Sequence, residues 1–400
     1  MTQGQKWLSK RYIAYRTLSS MWFVEAVWLY FYRIFITDQQ VGILDGLAFA
    51  IGLLAEVPSG ALADKFGRDK IVRIGQILAG GGILIQAFGS SFIPFFVGQA
   101  IMMVGVALVS GADEALFFER LKFDKKSTNW RRLVTRGSQI ALIGTFIAIL
   151  AGGWLHTIEP RLPWILNGLA FIASAVLIWS VKDGRPEKAR QKFVPELKDY
   201  LLDIKTGFVQ FRLPKLWLYI PFIITVQGLF YTTGYGLLRL ILLDRFLFDP
   251  FWGSVVLATS SLITVGLLGY MHKNADNLSE KKVLTTIGLL AGSSLLLSLA
   301  NIGWWGYIVI LALYAGEHIL HPFLSEVLNN RAPETQRATV LSVASFFKTL
   351  PYVVLAPIIG YLSTNGKIEY FFIAWAMLIF GAVALYLSAR KKDAHLSLAE

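Results

Sequence analysis

The stretch Gly60-Ala-Leu-Ala-Asp64-Lys65-Phe-Gly67-Arg68-Asp69-Lys70 separates two apolar runs, residues 41–61 and 71–89. Each run is about as long as the roughly 20 residues a helix needs to cross a bilayer. The stretch has the chemistry of a turn at a membrane surface. Its glycines permit a tight turn and close helix approach. Asp64 supplies an anion, while Lys65, Arg68 and Lys70 supply cations and hydrogen-bond donors at the aqueous rim.

Outward from this turn, apolar runs of similar length recur along the chain. The expected spans are 12–34, 41–61, 71–89, 92–119, 137–156, 163–181, 215–243, 251–271, 283–301, 304–327, 338–363 and 368–389. A chain with 55% hydrophobic and 16% charged residues is too apolar and too poor in charge for an ordinary soluble protein. The N-terminal MTQGQKWLSKRYIAYR lacks the short apolar core and small-residue cleavage site of a secretory signal, so the first span is expected to remain.

The net charge of +12 would suggest nucleic acid in a soluble protein, but its distribution follows the membrane. Arg33, Arg161, Arg245 and Lys367 fall on one side of the threaded spans, and Arg16, Arg239 and Lys348 fall within them. The other basic residues crowd the opposite side, which also carries both termini. Positive loops stay cytoplasmic. The expectation is a multi-pass protein of the bacterial inner (plasma) membrane with both termini inside and no nucleic-acid partner. There is no cysteine, which excludes disulfides, Cys-ligated zinc and Cys nucleophiles. No GxSxG, HExxH or GxxxxGK[ST] sequence in a suitable context points to an enzyme or an ATP site, and no cofactor is expected.

The longest hydrophilic stretch, 182–214, divides the spans into two sets of six: residues 1–181 and 215–400. Within it Phe193, Leu197, Leu201, Ile204, Phe208 and Phe211 share one helical face, with Lys198 and Lys205 elsewhere. That pattern predicts an amphipathic helix on the inner leaflet, with a partner-docking helix as the alternative.

The 60–70 stretch closely resembles the signature loop of the major facilitator superfamily of secondary transporters: a Gly, an Asp four residues on, a basic residue, then Gly-Arg-x-Lys. Spacing, depth and side all agree. The resemblance implies an all-α integral membrane fold of twelve transmembrane helices in two pseudo-symmetric six-helix bundles, transporting a small molecule as a monomer. It also implies that Asp64 faces the N-terminus of the eleventh span, Arg337-Ala338-Thr339-Val340-Leu341-Ser342, and that Arg68 pairs with Glu119. Glu326 occupies the place analogous to Glu119 in the second half. The fifth span partly resembles the antiporter motif, with Gly144, Ala148, Ile149, Gly152 and Gly153 but no proline. The fourth lacks the arginine of many drug antiporters and reads Gly98-Gln99-Ala100. Glu56-Val-Pro58-Ser-Gly60 is similar to a bacterial branch often labelled drug efflux.

Ionisable residues inside a bilayer are functional candidates because each costs about 2.5–3.5 kcal/mol to insert. Glu25 lies near the middle of the first span and Glu317 near the middle of the tenth, with His318 and His321 beside it. Spans 1, 4, 7 and 10 line the cavity by the family resemblance. A carboxyl there suits a proton carrier, with a hydrogen-bonded structural acid as the rival. The histidines could relay protons, and as a pair they make a poor metal site, so no metal is expected. Arg16, Glu56, Asp113 and Glu114 share a depth in the cytoplasmic half of the first set, as a mutually neutralising cluster would. Asp113 and Glu114 are the reserve coupling candidates. Gln227, Tyr231 and Tyr235 follow one face of the seventh span, either to contact substrate or to pack. Arg239 and Lys348 could bind an anion or pair with Glu317.

The expected function is proton-coupled export of amphipathic small molecules by alternating access. The alternatives are proton-coupled uptake of a polar metabolite, a lipid or lysolipid flippase, or a non-transporting membrane receptor or scaffold.

Overall fold

The structure is a computed structural model that describes residues 3–123, 130–182, 214–234, 236–273, 279–333 and 337–396. Within the helices some side chains lie outside that description, those of Asp64 and Arg337 among them. The expected amphipathic face at 193–211 and Tyr235 also lie outside the described residues.

All regular structure among the described residues is helical. The elements are α1 Gln3–Ser19, α2 Trp28–Arg33, α3 Asp38–Phe66, α4 Arg68–Phe88, α5 Phe92–Val109, α6 Ala112–Phe123, α7 Trp130–Ile158 and α8 Leu162–Ile178. They continue with α9 Pro214–Trp217, α10 Ile220–Phe222, a π-turn Ile223–Gln227, α11 Gly228–Gly234, α12 Leu237–Arg245, α13 Pro250–Lys273, α14 Glu280–Leu297, α15 Gly306–Arg331, α16 Arg337–Thr364 and α17 Ile368–Leu396. Helix occupies each of the twelve expected spans. Among the described residues, seven stretches are long and apolar enough to cross a membrane by length and composition alone.

Two expected spans are interrupted. The first breaks at 20–27 between α1 and α2, and the seventh passes from the π-turn through α11, which ends at Gly234, to extended backbone at Gly236 before α12. A third, 92–119, bends at Gly111, whose φ of 73° is left-handed and suits only glycine without strain.

The signature stretch is mostly helix rather than loop. Helix α3 runs through Gly60 to Phe66, and α4 begins at Arg68. Gly67 alone makes the turn, with φ 97°. Gly60 does not mark a close approach among the described residues, since nothing lies within 4 Å of a Cβ placed there.

The chain forms two compact units. The first comprises residues 1–36, 47–200 and 250–258, and the second 37–46, 201–249 and 259–400. In the first unit α4 packs on α5 through glycines that face each other's carbonyls, Gly75 against Gly105 and Gly82 against Gly98. Such small-residue contacts let helix backbones approach where apolar burial cannot drive helices together. An aromatic cluster of Phe31, Tyr32, Phe95 and Trp164 fills one end, with ring centroids 4.7–5.8 Å apart.

In the second unit the last turn of α12 is tied down by Arg245. Its Nη1 lies 2.8 Å from Glu369, while Nε and Nη2 donate to the carbonyls of Ser298 and Leu299 at the end of α14. These carbonyls are left over at a helix end, where arginine is a natural partner.

Candidate functional site

Both breaks have identifiable local causes. At the end of α1, Thr17 and Ser19 hydroxyls turn back onto the carbonyls of Ile13 and Arg16, a habit that disfavours helix continuation. The freed groups then find partners on neighbouring helices. Asn167 of α8 accepts from the Val24 N–H at 3.3 Å, and Thr145 of α7 donates to the Ser20 carbonyl at 2.7 Å. Gly152 of α7 leaves room for the Phe23 carbonyl where any Cβ would collide with it. Irregular backbone at membrane depth is tolerated only when protein or a water-lined cavity satisfies it. Glu25 sits in this irregular segment, partly buried.

In the seventh span Thr225 donates back to the Pro221 carbonyl at 2.7 Å, and the Trp375 indole N–H takes the Thr225 carbonyl at 2.9 Å. π-turns of this kind concentrate at functional sites. Three turns on, the Glu317 carboxyl of α15 occupies the space a side chain at Gly234 would need. The first and the seventh expected spans therefore both carry a break with a carboxyl at it.

Several expected residues gather in the second unit. Gln227 Nε2 is 3.1 Å from His321 Nδ1. Lys348 Nζ lies 5.3 Å from the centre of the Tyr231 ring, which meets Tyr352 edge-on. His318 instead stacks on Tyr314 with its Nδ1 2.9 Å from that residue's carbonyl, and is exposed. Arg239 is buried within α12.

The first unit brings together several of the expected ionic partners. Arg68 Nη1 is 2.7 Å from Glu119 Oε1. Arg16 lies 3.6 Å from Asp113 and 3.9 Å from Glu114. Asp113 is buried and also accepts from Tyr15, which accepts in turn from Gln76. So complete a set of partners fits a structural acid. Glu56 lies on an exposed face of α3.

Two clusters escaped the sequence reading. Asp45 of α3 accepts a hydrogen bond from Tyr352 of α16, and both are fully buried. Asp45 lies near one end of the 41–61 apolar run, and nothing in its neighbours flagged it. The second cluster centres on Glu280 at the start of α14, just ahead of the ninth expected span. It accepts from Tyr219 at 2.7 Å, Tyr386 at 2.8 Å and Arg331 at 2.5 Å. Burial alone would raise its pKa, but the hydrogen bonds from the two tyrosines and the arginine outweigh it and hold the carboxyl below the usual range.

That depression has a sign. The Glu280 contribution to stability is fully present above the ordinary carboxylate pKa of about 4.3 and is lost as pH falls through the lower folded value. The thermal midpoint of the detergent-purified protein should therefore fall on acidification through that range. Glu280→Gln should start lower at pH 7 and lose part of the slope. A parallel slope in the variant would assign the acid sensitivity to other carboxyls.

The sequence model described as Major Facilitator Superfamily matches residues 13–312. The chain is 22% identical over 359 residues to Multidrug resistance protein 2 of Bacillus subtilis (strain 168), covering 87% of this chain and 86% of the relative. It is 28% identical over 167 residues to the Quinolone resistance protein NorA of Staphylococcus aureus, a match spanning 40% of this chain and 42% of NorA. Among solved structures, the nucleoside transporter NupG superposes with a TM-score of 0.77 at 12% identity, covering 98% of this chain and 100% of that one. A POT family transporter in complex with 5-aminolevulinic acid gives 0.72 at 13% identity, with 98% and 97% covered. At such identities the structures speak to the fold alone. Signature stretch, helical architecture and family match converge: this chain is a multi-pass membrane transporter that belongs to the Major Facilitator Superfamily.

Proposed function

We propose that the protein exports amphipathic small molecules across the bacterial inner membrane in exchange for protons, by alternating access. The observation that carries this reading is the pair of interrupted spans, each with a carboxyl at its break: Glu25 in the first and Glu317 against the seventh. Discontinuous helices at corresponding places in the two halves of a transporter mark its binding region. A carboxyl there can alternate between protonated and ionised forms as its surroundings change. Gln227, Tyr231 and His321 add polar contacts for a substrate that is otherwise held by apolar walls. The named efflux relatives support export.

In this reading residues 1–181 and 215–400 are the two moving bundles, 182–214 joins them, and the protein works as a monomer. Gly60, Asp64, Lys65, Gly67, Arg68, Lys70, Glu119 and Arg337 form the cytoplasmic gate. A second reading, proton-coupled uptake of a polar anion, is favoured by Arg239 and Lys348 in the same half as Glu317, and by the nucleoside and peptide transporters among the structural neighbours.

The test uses the purified protein in proteoliposomes with a fluorescent lipophilic cation, a neutral lipophilic dye, a nucleoside and a dipeptide as probes. Export predicts that an imposed pH gradient drives the lipophilic probes and leaves the polar ones. Accumulation of the nucleoside or dipeptide alone would replace it with uptake. Orientation is checked separately, because the native chain has no cysteine. A single cysteine at Ser279 should react with an impermeant maleimide only after the cells are opened. Labelling in intact cells would invert the topology.

A further inference from the structure

The break in the seventh span ends at Leu237, whose backbone N–H is the first donor of α12. Helix-opening N–H groups have no partner within their own helix, and this one is fully buried at membrane depth. Its acceptor is the Tyr352 hydroxyl of α16, at 3.1 Å. The same hydroxyl donates to the carboxyl of Asp45 on α3. A hydroxyl that donates to a carboxylate becomes a better acceptor, so the two bonds reinforce each other. Gly236 is what lets the ring in: a Cβ there would overlap the Tyr352 ring. Two residues before it, Gly234 leaves the seat taken by Glu317. Three helices are thus joined through one phenol beside the carboxyl assigned to coupling.

The outer end of α3 is also fixed to α16 by backbone contact. Gly42 and Gly46 face the carbonyls of Ala356 and Val353, Ser363 donates to Asp38 at 2.5 Å, and Thr364 accepts from the Gln39 N–H at 2.8 Å. Any sliding of α3 along α16 must change the Asp45–Tyr352 bond.

We propose that Tyr352 is a positioning residue for the transport site and that Asp45 aims it. Movement of the outer end of α3 is thereby transmitted, through one hydroxyl, to the Gly234–Gly236 break and the seat of Glu317. The proposal rests on the reading of Glu317 as a transport-site acid. When Asp45 stays on α16 the hydroxyl points away from Leu237 and its lone pair holds the N–H. When Asp45 withdraws, the hydroxyl loses its acceptor, the Leu237 bond weakens, and the glycine-flanked break is free to adopt a second geometry. The glycines matter here because they turn without the steric cost other residues incur.

The tie itself is read without any substrate, by hydrogen exchange of full-length protein in nanodiscs. Tyr352→Phe keeps the ring and removes both bonds, and should speed amide exchange at residues 236–240 by about tenfold, the effect of one buried hydrogen bond. Asp45→Ala should speed it less, and Asp45→Asn, whose amide oxygen can still accept from the phenol, should stay near the native rate. The double Asp45→Ala, Tyr352→Phe variant should exchange no faster than Tyr352→Phe alone, because the two act through each other. Gly236→Ala reaches the same end by displacing the ring and covers the case in which Tyr352→Phe does not fold. In proteoliposomes loaded with ethidium, the maximal exchange rate should fall severalfold in Tyr352→Phe and Asp45→Ala and be rescued in Asp45→Asn.

Unchanged amide exchange at 236–240 in Tyr352→Phe, or effects that multiply in the double variant, would overturn the tie. A confirmed tie with native ethidium exchange in every variant would overturn the positioning role. Because the amide measurement involves no proton flux, a failed tie is told apart from a failed assignment of Glu317, which is tested by neutralising that acid.

Discussion

Glu25→Gln protein in proteoliposomes is expected to exchange substrate for substrate at near-native rates and to lose accumulation driven by a pH gradient. Glutamine keeps the shape and hydrogen-bonding capacity of a protonated glutamate, so binding survives. What it lacks is a second protonation state. With one proton per substrate, each unit of pH difference is worth about 1.36 kcal/mol, or a concentration ratio of about ten. The native protein should approach that ratio and the variant should stay near one. The same experiment on Glu317→Gln separates the two acids. Glu25 is favoured because the sequence places no basic residue near its depth in the first half, whereas Glu317 has His318 beside it and Lys348 in the same unit. If both variants still accumulate substrate, neither acid carries the proton and Asp113 and Glu114 become the next to test.

Gly152→Val should be among the most damaging single changes in the chain, and Gly60→Ala among the mildest. A Cβ at Gly152 runs into the backbone carbonyl of Phe23, which belongs to the irregular segment carrying Glu25. Backbone cannot rotate aside as a side chain can. Overpacking costs about 1–3 kcal/mol and sometimes more, a large share of the stability of any domain. The expected result is a fall in thermal midpoint together with loss of exchange. Gly60, although part of the signature, lies inside α3 with open space around it among the described residues. Alanine there should gain up to about 1 kcal/mol of helix propensity. A thermal midpoint for Gly152→Val equal to that of the native protein would mean that α1, α2 and α7 do not meet as described. A large loss of folding in Gly60→Ala would place a neighbour against that face.

The two glycines show where sequence stops. Both sit in stretches that resemble family motifs. Only the packing shows that one faces a carbonyl and the other nothing. The seventh span carries glycines at 228, 234 and 236, so its interruption left a trace in the sequence. The first has neither glycine nor proline between Ser20 and Val27. Its break depends on Asn167 and Thr145, more than a hundred residues away, accepting and supplying hydrogen bonds that a continuous helix would make for itself.

The membrane class and the places of the apolar helices follow from the sequence by itself, because a bilayer admits only long apolar helices whose own backbone bonds are satisfied. The Arg68–Glu119 pairing was legible too, since a family motif fixes both spacing and depth. Which acids have partners was not. Asp113 and Glu280 carry full sets of donors, and Asp45 is joined to Tyr352 across 307 positions of sequence. Whether a carboxyl in an apolar run is a structural anchor or a group left able to change its proton depends on donors brought by other helices. That is decided by tertiary structure, because hydrogen bonds reach about 3 Å in space and take no account of distance along the chain.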